Sequence, residues 1–197
     1  MEMNEKQALL VIEDMINKAK TEIKDNGFFF LFWGWLVFGA AVINYYLLMF
    51  TDVEFHSISW VVLMPLGGVI TIIASIREKK KQVQVKTYVD DLMKYMVRAF
   101  AISLFIVCFT MPMGNQWKAF YPTIMIVYSI WLYASGGMLK FKPLMWGGAL
   151  NWALAAVGYV FPSTQTHLIL IAIAVLGGYI IPGYLLKRRF NKDVQGA

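Results

Sequence analysis

The chain is poor in the residues that do chemistry. It has one cysteine, two histidines and only 15% charged residues, and none of its twelve acidic residues falls inside an apolar run. Each scarcity excludes something. A lone Cys108 cannot form an intramolecular disulfide or a thiolate-rich metal site. Without Asp or Glu at membrane depth there is no carboxylate relay of the kind that proton- and ion-coupled transporters use. There is no His-Glu-x-x-His, no Gly-x-Ser-x-Gly and no glycine loop with a phosphate-binding lysine, so no enzymatic activity and no cofactor are expected. Residues 1–27 mix Glu, Asp and Lys and lack a basic-then-apolar-then-small pattern, so the first span is expected to be an uncleaved anchor.

What the chain has is apolar length. Its 197 residues are 59% hydrophobic and 16% aromatic, with a mean hydropathy of +0.58. At about 20 residues per crossing there is room for six spans and little else. The expected fold is all-α: a polytopic membrane protein of six transmembrane helices with an N-terminal amphipathic helix. Residues 1–27 form a cytoplasmic helix, 28–186 the transmembrane domain, 77–94 a basic cytoplasmic loop within it, and 187–197 a basic tail. The spans are expected at about Phe28–Phe50, Ile58–Ile76, Met96–Met113, Ala119–Leu139, Leu144–Phe161 and His167–Leu186.

Charge sets the orientation. On this topology 17 of the 18 Lys and Arg residues lie on one side and only Lys118 on the other. That asymmetry places both termini in the cytoplasm of a cell whose inner membrane holds the spans. The net charge of +6 then reads as topology and attraction to anionic lipid, with no nucleic acid implied.

Two amphipathic stretches flank the spans. Leu9, Ile12, Ile16, Ala19 and Ile23 recur every three or four residues, and Gly27 after Asn26 reads as a helix stop. Such a helix either lies on the membrane surface or packs on its own protein; its heptad spacing also suits a dimer or a partner helix. Val85, Val89, Leu92, Met96 and Ala99 repeat at the same spacing, and the two stripes are expected to pair. Together with Arg77, Lys79, Lys80 and Lys81, Val85 and Val89 form a candidate lipid or partner surface.

Three other features carry chemistry or symmetry. Asp52, Glu54 and His56 alternate along an outer loop, and His167 falls on the same side, so the four could hold a divalent metal. A solvated turn accounts for them equally. Asn44, Tyr45, Trp131, Asn151 and Trp152 could line a pocket for an apolar or cationic molecule, or serve helix packing. Trp33-Gly34 and Leu66-Gly67-Gly68 are echoed by Trp146-Gly147 and Leu176-Gly177-Gly178, a pattern open to duplication or to close helix packing.

Phe32-Trp33-Gly34, Leu63 to Gly68, Lys86-Thr87-Tyr88-Val89-Asp90, Ser135 to Leu144 and Tyr179 to Leu186 resemble a family of small six-span bacterial membrane proteins. The resemblance covers nearly the whole chain and implies the fold but no activity. Two functions are therefore expected: a non-enzymatic membrane protein engaging a partner or anionic lipid through its cytoplasmic face, or a small transporter or binder using the aromatic interior. Either could act as a homodimer.

Overall fold

In the computed structural model the backbone is described for residues 5–53, 55–81 and 88–195, and side-chain surroundings for 27–53, 55–77, 91–189 and 191. Among the described residues the chain is all-α. Its helices are α1 (Glu5–Phe50), α2 (Ile58–Lys81), α3 (Tyr88–Met113), α4 (Trp117–Met138), α5 (Lys142–Val160) and α6 (Thr164–Val175). A π-helical segment, Leu176–Ile180, leads from α6 into α7 (Ile181–Gln195).

Among the described residues four stretches are long and apolar enough to cross a membrane: Gly27–Phe50, Ile58–Arg77, Asp91–Met113 and Thr164–Arg189. The expected six are not all reached by this measure. α4 and α5, at 22 and 19 residues, have the length. Their indoles, phenols, glycines and prolines, with Asn151 in α5, lower their hydropathy.

α1 departs from expectation at Gly27. The helix runs through it without a break. Glycine ends a helix by taking a left-handed conformation, and no glycine among the described residues has positive φ. Gly27 faces α7 instead, where a Cβ would make ordinary contact with Leu186 at 3.7 Å. The left-handed positions are Asn115 (φ 54°) and Lys140 (φ 48°), at the ends of α3 and α4. Each closes its helix with a Schellman pair, Gln116 N–H to Met111 O at 2.9 Å and Phe141 N–H to Gly136 O at 2.8 Å.

The core is built from α1, α4, α5 and the α6–α7 rod. α4 and α5 approach most closely because glycines face backbone. A Cβ on Gly136 would meet Met145 N at 2.7 Å, and one on Gly148 would meet Tyr133 N at 2.9 Å. Gly147 meets Gly178 of the π segment in the same way, Cβ to Cα at 2.7 Å. In lipid, where apolar side chains gain nothing by leaving solvent, such approach is what holds helices together. α2 packs on α1 and α3 packs on α4, each by a single stripe, and their other faces are apolar and exposed.

Candidate functional site

At the end of the bundle where α1 gives way to α2, polar groups tie the two helices together. Asn44 is fully buried one and a half turns before the end of α1. The donors and acceptors around it fix its amide: Oδ1 accepts from Trp60 Nε1–H at 2.7 Å, and Nδ2 donates to the His56 carbonyl and Nδ1, both at 3.0 Å. His56 Nδ1 thus serves as an acceptor. Ser59 Oγ donates to the Ala40 carbonyl at 3.1 Å. Tyr121 of α4 borders the same group, its ring centroid 6.3 Å from that of Trp60. Tyr121 in turn packs on His167, ring centroids 5.8 Å apart.

The four candidate metal ligands fare as follows. His167 is buried and its Nε2 donates to the Gly158 carbonyl at 2.9 Å, joining α5 to α6. His56 is committed to Asn44, and Asp52 is exposed. Glu54 lies outside the described residues. Among the described residues no three His, Cys, Asp or Glu side chains come close enough to hold a metal ion.

The five candidate pocket residues do not converge. Asn44 belongs to the cluster that ties α1 to α2. Asn151 is buried and its Nδ2 donates to the Gly147 carbonyl at 2.9 Å and the Ala174 carbonyl at 3.1 Å. Ala174 sits just before the π segment, where the backbone ladder shifts from four residues to five, and Asn151 supplies a donor there. Trp152 packs on Tyr133 at 5.3 Å, Trp131 on Phe100 at 5.2 Å, and Tyr45 is half-buried on α1.

The sequence reading missed a different aromatic layer. Rings run from Phe30 of α1 to Tyr179 at 6.1 Å, to Tyr128 at 5.9 Å and to Phe100 of α3 at 5.1 Å. The Tyr179 hydroxyl is buried and has no hydrogen-bond partner, and so is that of Ser135. The glycine pair beside Tyr179 was visible in the sequence; the π turn that aims this ring inward was not.

The remaining features gather at the other end. α1 has 46 residues, about 69 Å of helix against a hydrocarbon core of about 30 Å. Its N-terminal half therefore stands beyond the apolar stretch that begins at Gly27. α2 carries Arg77, Lys79, Lys80 and Lys81 on a helical continuation of its span, not on a loop. Val89 lies in the first turn of α3, while Val85 falls outside the described residues. Lys94 pairs with Asp91 at 2.8 Å, and Arg98 lies 5.7 Å over the Tyr95 ring. α7 continues past Arg189 to Gln195.

No protein-family model, curated protein or solved structure matches the chain.

Proposed function

We propose that the chain is a non-enzymatic integral protein of the bacterial inner membrane, crossing six times with both termini cytoplasmic. Its cytoplasmic face engages a partner protein or anionic lipid. The unbroken course of α1 from Glu5 to Phe50 carries this reading. A helix that continues unbroken past its apolar stretch carries its amphipathic half beyond the bilayer, where it can meet a protein. The basic turn at Arg77–Lys81 stays close to the span and suits anionic headgroups, each cation near such a surface adding about 1 kcal/mol. Six crossings fit the lengths of α4 and α5, and the lopsided distribution of Lys and Arg fits the orientation.

The test is co-purification from membranes with the full chain and with a chain lacking residues 1–26. The arm's partners are expected to be lost on truncation, and an unchanged set of partners would sink the proposal.

A second reading, a binder of an apolar or cationic small molecule, draws its support from the aromatic layer around Tyr179 and its unpartnered hydroxyl. Tyr179→Phe would then weaken binding of a hydrogen-bonding ligand by about tenfold. Liposomes containing purified protein, challenged with a panel of tryptophan-quenching amphiphiles, would show it.

A further inference from the structure

The arm of α1 and the tail of α7 share more than a side of the membrane. At about 100° per residue, Leu9, Ile12, Ile16, Ala19 and Ile23 fall on the same arc of α1 as Gly27, Phe30, Gly34, Val37 and Ala41. Those last five are all buried. The glycines of this arc and of α7 give the register. Gly34 lies against Ile180 and Tyr179, Gly183 against Leu31, and Gly27 against Leu186 and Lys187. The helices run antiparallel, and each step back along α1 is matched by an equal step forward along α7.

Carried one turn further, that register sets Ile23 opposite Phe190; two turns further it sets Ala19 opposite Val194. Phe190 and Val194 are the only apolar residues among Lys187–Gln195. Charges match in the same register, within one residue. Asp25 falls opposite Arg188 and Arg189, Glu22 opposite Lys192, and Lys20 opposite Asp193. Both segments are helical along this length.

We infer that the tail of α7 docks on the membrane-proximal arm of α1, forming an antiparallel two-helix stalk below the membrane. The interface is a continuation of the one between α1 and α7 within the bundle. Neither rival occupant fits as well. Lipid is disfavoured because α1 continues as one helix past the apolar stretch that begins at Gly27, carrying the arc beyond it. A second copy in the same membrane would run parallel to α1, and on this arc its membrane half would take the place of α6 and α7. The stalk ends at Gln195, opposite about residue 18 in this register, so Ile16, Ile12 and Leu9 extend beyond it. This inference goes beyond the proposed function and holds whichever partner the cytoplasmic face engages.

Disulfide trapping in native membranes tests it, using the full chain with Cys108→Ser as background. Ile23→Cys with Phe190→Cys, and Ala19→Cys with Val194→Cys, are expected to link within one chain. They should do so at least about tenfold faster than the off-register pair Ile12→Cys with Phe190→Cys, because bridging needs Cα atoms within about 7 Å. Linked tryptic peptides identify the bond, and a monomer band on a non-reducing gel shows that it is in-chain. Glu22→Lys is expected to slow the Ile23–Phe190 link, and adding Lys192→Glu to restore it. Faster linking of Ile23→Cys to Val89→Cys, a dominant Ile23–Ile23 dimer, or equal rates for all pairs would overturn the inference.

Discussion

At the scale of single residues, burial makes polar groups costly unless they are paired, and this chain shows both outcomes. Asn44 fills every polar atom of its amide against Trp60 and His56. Asn44→Leu leaves an indole N–H without its acceptor and the His56 carbonyl without its donor, so it is expected to cost about 2 kcal/mol. Thermal unfolding in detergent, followed by tryptophan fluorescence, measures it. Tyr179 is the opposite case, a buried hydroxyl with no partner. Tyr179→Phe removes the unpaired oxygen and keeps the ring, and its midpoint is expected to equal or exceed that of the parent. A third residue-scale case is Lys140, held at φ 48° in the α4–α5 turn. A left-handed conformation costs a side chain roughly 1 kcal/mol that glycine does not pay. Lys140→Gly is expected to stabilise by about that amount in the same measurement.

Elements are decided by where glycines face, and here reading and structure part company in instructive ways. The apolar runs, their spacing and the breaks after Met113 and near Leu139 were legible from composition and periodicity alone. Gly27 was not, because a glycine after Asn26 has the same letters whether it stops a helix or lies within one. The role of Asn151 was equally hidden: nothing local announces a π turn 25 residues downstream whose neighbouring carbonyl it satisfies. The double glycines illustrate the same limit. Gly147 and Gly178 press backbone on backbone, whereas Gly39, Gly68 and Gly137 face open space. Gly147→Ala and Gly178→Ala are therefore expected to destabilise by about 1–3 kcal/mol through overpacking. Gly39→Ala and Gly137→Ala should change the midpoint little, or raise it slightly through helix propensity. If all four behaved alike, packing between α5 and the π segment would not be what these glycines provide.

For the whole molecule, the side on which the link between α4 and α5 lies decides how many times the chain crosses. α1, α2, α3 and the α6–α7 rod are each apolar enough to span. α4 and α5 are the closest pair in the bundle and their aromatic residues include half-exposed rings such as Trp152 and Tyr133. An aromatic-rich helix crosses a membrane readily when its polar tips are bonded, as Tyr159 is to Thr123 at 2.6 Å. If both cross, Lys140 and Lys142 return to the side of Arg77–Lys81, in keeping with the preference of cations for the cytoplasm. If neither crosses, those two lysines remain on the side of Lys118. In a Cys108→Ser background, Lys142→Cys and Arg77→Cys are expected to react with a membrane-impermeant maleimide only after the membrane is opened. Ser163→Cys and Asn115→Cys should react in intact spheroplasts. Labelling of Lys142→Cys from outside would reduce the count to four and leave α4 and α5 as a hairpin on the outer surface. The buried contacts of Gly147 with Gly178 and of His167 with Gly158 argue against that, because they pack α5 against α6 and the π segment along most of its length.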